Sequence, residues 1–172
     1  MSLAYITTIQ ALRNALLKLP DGADYGSVMQ RYTASLADLE GYCTWHAKHY
    51  TRTCIHRDAR FELLAVCYEV GQTTSIHDYD SQRAWVFPVM GELTEERFRI
   101  TASGGLERMG RVRLQHGNGG SFLVEQAIHR FMNDGPGRAV TLNLYAKPMH
   151  QWRVYDERTG AYSIANVGPA AI

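Results

Sequence analysis

The chain has 172 residues, 45% of them hydrophobic and 20% charged, with a formal net charge of +1. That length suits one domain with its own core, and a charge so close to zero gives no electrostatic case for nucleic acid or an anionic membrane surface as partner. No run approaches the roughly 18 apolar residues of a membrane span, and no basic stretch leads into an apolar one at the start, so the collagenous, disordered, membrane and secreted classes are set aside and a cytoplasmic protein is expected.

Ile6, Ile9, Leu12, Leu16 and Leu19 recur at three- and four-residue steps and predict an amphipathic helix over 5–19, stopped by Pro20-Asp21-Gly22. Tyr25, Val28, Met29, Tyr32, Leu36 and Leu39 repeat the period and predict a second helix over 25–39, with Gly41 as its stop. From about residue 45 the texture changes. Runs of β-branched and aromatic residues at 61–70, 84–90, 95–101, 110–115, 121–127, 139–145 and 151–156 read as strands, punctuated by Gly71, Gly91, Gly104-Gly105, Gly117 to Gly120 and Gly135-Pro136-Gly137. Short strands at near-regular spacing predict a β-sandwich or barrel. The expectation is a mainly β, single-domain chain over 1–172, with a helical preface at 1–42 and a small β-barrel at 45–165. The preface is expected to cover a sheet edge or to form a dimer contact, which leaves monomer and homodimer both open.

Several chemistry-bearing residues have ordinary readings. Cys43, Cys54 and Cys67 are odd in number and lack CxxC spacing, which fits neither a disulfide framework nor a zinc ribbon. They read as small buried hydrophobes, Cys67 above all, because its apolar run Phe61–Tyr68 disfavours a thiolate. His46 and His49 would share a helix face, and read first as an exposed polar edge. Gly117 to Gly120 lacks the Lys-Ser/Thr helix of a phosphate cradle and reads as a hairpin turn. Of Arg108, Arg111 and Arg113, strand alternation puts two on one face, which reads as solvated.

His77 is different, because it stands in a segment, Gly71 to Asp80, that ends in ligand-capable side chains. In an extended strand His77 and Tyr79 point to one face, and Asp78 and Asp80 to the other. His129 stands at a later strand end. One such histidine is ordinarily a structural hydrogen-bonder. Two in separate strands, one beside Tyr and Asp, point to a metal site.

These residues carry a resemblance. Gly71, five residues, His77, one residue and Tyr79, closed by Gly91 and followed later by His129-x-x-x-Asn133, resembles the paired cupin motifs. The chain is more closely similar to the type I cysteine dioxygenases. The likeness is carried by Tyr50-Thr51-Arg52, Ser75 to Asp78, Gly91 to Glu95, Ile128 to Arg130, Leu142 to Tyr145 and Tyr155 to Gly160, in order between about residues 25 and 165. It implies a cupin-type, jelly-roll-like β-barrel with two or so N-terminal helices packed on it. It implies one Fe(II) held by three histidines, and oxidation of a small thiol carboxylate, cysteine first, to its sulfinic acid by O2. Carried over by position, it implies His77 and His129 as the first and third metal ligands. Arg52 becomes the residue that holds the substrate carboxylate, and Tyr145 the tyrosine whose hydroxyl meets substrate and oxygen. Those types suit the chemistry, since histidines leave open metal positions and Arg offers a fixed fork to a carboxylate.

The chain also departs from the family pattern. Tyr79 stands where the second histidine ligand belongs. Either its phenolate oxygen ligates, which favours the ferric state, or it stays off the metal and water completes a two-histidine site. Asn143 and Thr141 replace the His and Ser behind the tyrosine, and Ala84 stands where the animal enzymes carry a Cys crosslinked to it. The Tyr79 substitution leaves two further readings open: a cupin holding Fe(III), Ni or Zn and acting on another small carboxylate, and a non-catalytic cupin that binds a small ligand or a partner protein.

Overall fold

The computed structural model describes residues 5–33, 35–79, 83–116, 121–124 and 127–166. Asp80 and the Gly117 to Gly120 turn lie outside them. Helix α1 runs Ile9–Leu17, shorter than the predicted 5–19, because Thr8 is extended and caps it by accepting from the Ala11 N–H at 3.1 Å. Its buried face is Ile9, Leu12 and Leu16.

The predicted helix 25–39 is two short helices, α2 at Tyr25–Met29 and α3 at Leu36–Leu39, with a 3-10 turn following at Glu40–Tyr42. Between them Tyr32 bridges Ile6: the Ile6 N–H donates to Arg31 O and the Thr33 N–H to Ile6 O, each at 2.9 Å. The Tyr32 hydroxyl donates to Asp38 at 2.7 Å, and the same carboxylate accepts the Ile9 N–H. These pairings, with a β-branched Thr33 and an extended Ser35, outweigh the helical periodicity.

Among the described residues eleven strands follow: β1 Thr51–Arg57, β2 Phe61–Tyr68, β3 Ile76–Tyr79, β4 Arg83–Met90, β5 Glu92–Ile100, β6 Leu106–Gln115, β7 Ser121–Val124, β8 Ile128–Met132, β9 Ala139–Ala146, β10 Gln151–Tyr155 and β11 Tyr162–Asn166. They form two sheets, ordered β1-β2-β9-β4-β7 and β11-β10-β3-β8-β5-β6. The mainly β, jelly-roll-like expectation holds, but the two sheets form a sandwich and do not close into a continuous barrel. β1, β3, β8 and β11 fall outside the predicted runs.

The layers explain the sequence pattern. β2 and β9 are buried along their whole lengths. Phe61, Leu63, Cys67, Val140, Leu142 and Leu144 pack with Leu12, Leu16, Tyr25 and Met29 of the helices. The alternate residues Leu64, Val66, Tyr68, Ala139 and Tyr145 pack with Tyr79, Leu93 and Phe131 of the second sheet. Strands covered on both faces read as continuous apolar runs. The helices thus cover an outer sheet face rather than the edge expected from sequence.

The turn between β1 and β2 is built on Asp58. It accepts from the Arg60 and Phe61 N–H groups at 2.8 and 3.0 Å and from the Arg60 guanidinium at 3.0 Å. Burial pushes its carboxyl up, but the Phe61 and Arg60 N–H groups, the Arg60 guanidinium and His56 outweigh that and hold its pKa at about 2, down from 3.8. A depressed carboxyl stabilises the fold above its unfolded pKa and stops doing so as pH falls through the folded one. The stabilisation is therefore complete above pH ~4 and lost towards pH ~2. Acid unfolding followed by circular dichroism should show a flatter pH dependence over that window for Asp58→Asn than for the parent. Matching curves would show that another group sets the slope.

On the outer face of the second sheet, Glu96 accepts from Arg108 and Arg130 at 2.8 and 2.6 Å, and lies 3.3 Å from Arg111. Arg113 pairs with Glu92 at 2.8 Å. The Arg108, Arg111 and Arg113 side chains are about half exposed, the solvated face predicted for them. His46 and His49 are exposed and stacked on each other, 3.7 Å between rings, outside any regular element. The three cysteines are free, and burial raises all their thiol pKa values, Cys67 to about 12.

Candidate functional site

Register gathers the side chains. In β3, His77 lies opposite His129 of β8 and Val154 of β10, and Tyr79 lies opposite Trp152 of β10. In the facing sheet, Arg52 of β1 pairs with Val66 of β2, and Val66 with Thr141 of β9. Tyr145 of β9 lies opposite Ala84 of β4. Directly opposed residues point to the same face, so these two rows look at each other across the sandwich. Between them lies a cavity of about 20 Å³, whose walls include Arg52, His77, Tyr79, Asn143, Tyr145 and Trp152.

All five residues singled out from sequence meet here. Arg52, His77, Tyr79 and Tyr145 line the cavity. The His129 ring packs beside it, 4.7 Å from the His77 ring and 5.0 Å from the Tyr79 ring, centre to centre. Asp78 turns to the opposite face, as strand alternation requires. There it accepts from Arg153 Nε at 3.0 Å and from the Tyr155 hydroxyl at 2.9 Å.

The imidazoles are oriented from behind. His77 Nδ1 lies 2.7 Å from Ser75 O, so it carries the proton and leaves the Nε2 lone pair free. His129 Nδ1 lies 3.4 Å from Glu95 Oε1, and the other Glu95 oxygen accepts from Arg97 at 3.1 Å. His129 Nε2 is buried and meets no partner. Burial, and then the neighbouring His129, push the His77 pKa down to about 3. Burial also lowers that of His129, opposed by Glu95. Both rings are therefore neutral near pH 7. Two neutral imidazoles, each backed by a carbonyl or a carboxylate, suit Fe, Zn, Ni or Cu, and a cation would satisfy the orphaned Nε2. The donor set fits a metal ion.

The third donor is less plain. Among the described residues no three of His, Cys, Asp and Glu converge on one point. Tyr79 faces the histidines, but burial and the nearby Tyr145 keep its phenol pKa well above 10. The Tyr145 hydroxyl accepts from Asn143 Nδ2 at 3.0 Å. The raised pKa favours a neutral Tyr79 beside a two-histidine site.

Arg52 brings a cation to the cavity, and its Nη2 is buried without a partner. Its guanidinium carbon lies 5.9 Å from the centre of the Trp152 ring. Glu95 and Trp152 escape sequence reading because their positions depend on the pairing of β5 with β8 and of β10 with β3. Alternation from the apolar Leu93 was the available signal that Glu95 faces inward.

Comparison with known proteins follows the same line. The family model described as cysteine dioxygenase type I matches residues 4–158. Cysteine dioxygenase type 1 of Danio rerio is 25% identical over 142 residues, covering 80% of this chain and 71% of that protein. The Bos taurus protein of the same name is 26% identical over 138 residues, covering 78% and 69%. Among solved structures, TT1209 from Thermus thermophilus superposes with a TM-score of 0.54 at 16% identity, over 64% of this chain and 94% of that one. An uncharacterized conserved protein with a double-stranded beta-helix domain from Klebsiella pneumoniae gives 0.55 at 13% identity, over 74% and 87%. At such identities the structural likenesses speak to the fold alone.

Proposed function

We propose, from the premise that this chain belongs to the cysteine dioxygenase type I family, that it is a cytoplasmic, iron-dependent thiol dioxygenase. Its substrate is a small thiol carboxylate, cysteine first. Both atoms of O2 are added to the sulfur, turning the thiol into a sulfinic acid. The observation that carries this reading is a small cavity lined by His77 and by an Arg52 whose buried Nη2 has no partner, with the neutral His129 imidazole packed against His77 beside it. No helix among the described residues is long and apolar enough to cross a membrane.

His77 and His129 would hold the Fe(II), which when bound supplies open positions for thiolate and dioxygen. Arg52 offers parallel N–H donors to the substrate carboxylate. Tyr145 is a neutral phenol, its pKa raised by burial. Because its oxygen accepts from Asn143, its own proton is free to go to the substrate or the oxygen being transferred. Tyr50, Val66, Tyr68, Thr74, Phe131 and Met149 complete the walls. A cavity of about 20 Å³ holds about one water, so the side chains must give way to a substrate, and short chains are selected.

Purified protein loaded anaerobically with Fe(II) should consume O2 on addition of cysteine and form one cysteine sulfinate per O2. No turnover with cysteine or 3-mercaptopropionate would sink the reading. Stoichiometric zinc or nickel, with iron absent after iron-rich growth, would favour instead a different reaction of a small carboxylate. Tyr79→His should raise iron affinity at least about tenfold, since a direct ligand contributes no less than a residue hydrogen-bonded behind one, measured by competition with a chelator. A variant that gains neither affinity nor turnover would show that Tyr79 does not occupy a vacated ligand position.

A further inference from the structure

Resting on the thiol-carboxylate reading above, we propose that Trp152 is a second anchor for the substrate's carboxylate, its indole N–H acting beside Arg52, and that it thereby sets specificity for thiols with an anionic end.

Trp152 Nε1 and Arg52 Nη2 are both buried and both lack a hydrogen-bond partner. Both residues line the same cavity, with the guanidinium carbon 5.9 Å from the indole centre. Trp152 faces inward because it pairs with Tyr79 across the β3–β10 ladder, and its ring lies 5.1 Å from that of His77. An indole N–H and a guanidinium can only donate. Buried donors are almost always satisfied in a native protein or by what it binds. Two donor-only groups left unmet at the edge of one cavity call for a ligand end that only accepts and has more than one oxygen. A carboxylate meets that description, with one oxygen to each group. The His77 ring lies 5.1 Å from the same indole and 4.7 Å from the His129 ring, so the other end of a short ligand held by these donors lies near the imidazoles. A thiol of similar length without the carboxylate, such as cysteamine, would leave both donors unmet and bind poorly.

The test uses the indole resonances. The chain has three tryptophans, Trp45, Trp85 and Trp152, and Trp152→Phe assigns the third resonance while keeping a ring under Arg52. In 15N-labelled, iron-loaded protein kept anaerobic, the Trp152 N–H should move downfield on saturation with cysteine or 3-mercaptopropionate, and not with cysteamine. Trp152→Phe should raise KM for cysteine about ten- to a hundredfold, as for loss of one hydrogen bond to a charged group, with kcat changed less than about twofold. An indole resonance that responds to the carboxylates no more than to cysteamine overturns the proposal, as does an unchanged KM. If Trp152→Phe fails to fold, Trp45→Phe and Trp85→Phe assign the resonance by elimination and the titration still decides. A moving indole in a protein without turnover would discard the reaction and keep the anchor. Turnover with a silent indole would keep the reaction and discard the anchor.

Discussion

His129→Gln is expected to fold, to come from iron-rich growth without stoichiometric iron, and to lose thiol-dependent oxygen uptake by more than the ten- to hundredfold typical of a residue one shell out from a metal. His129 is fully buried between the rings of His77, Tyr79 and Phe131. Its Nε2 lacks any partner in the fold itself, so packing alone does not account for an imidazole there. Glutamine fills much of the volume and keeps a polar group near Glu95, which retains Arg97, but an amide is a poor substitute for imidazole at Fe(II). Metal content by mass spectrometry, an oxygen electrode and circular dichroism separate loss of the centre from loss of the fold. A folded variant with iron bound and turnover within about tenfold of the parent would remove His129 from the site.

Phe61→Ala is the counterpart on the other side of the first sheet. Its ring is fully buried, 5.4 Å from the Tyr25 ring and 4.8 Å from the His56 ring, in the layer between helices and strands. Truncation removes that contact and leaves a hole, which costs about 3–5 kcal/mol for a buried Phe. At roughly 2–4 °C per kcal/mol for a chain of this size, Tm should fall by about 6–20 °C. Because Phe61 faces away from the cavity, kcat at 20 °C should stay near that of the parent. A Tm within about 2 °C would mean that the helical layer contributes little to the core. An intact Tm with lost activity would mean that the two faces are coupled.

The parts legible in the sequence are those whose pattern follows from one element alone. Phe61 to Tyr68 and Ala139 to Ala146 read as strands because both faces are covered and nearly every position is apolar. The shared face of His77 and Tyr79, and the opposite turn of Asp78, follow from alternation. β1 was hidden because Thr51–Arg57 is half-buried, mixes polar and apolar residues, and changes register between Cys54 and His56. β11 was hidden because Tyr162–Asn166 is mostly exposed at the end of its sheet. The helix over 25–39 failed because its apolar period survives a break that long-range pairing of Tyr32 with Ile6 imposes. Glu95 and Trp152 become visible only once register is known, since each matters through the residue opposite or beside it on another strand.

The arginine row on β6 has a bearing on how copies of the chain meet. β6 stands last in the order of its sheet, and an outermost strand is a template on which another chain can add by backbone pairing. Exposed ion pairs such as Arg113 with Glu92 contribute little to stability. Charged side chains along an outermost strand do resist stacking with a like strand. In a protein whose net charge of +1 supplies almost no general repulsion, Arg108, Arg111 and Arg113 set charged side chains along one of the outermost strands, where a like strand could otherwise add.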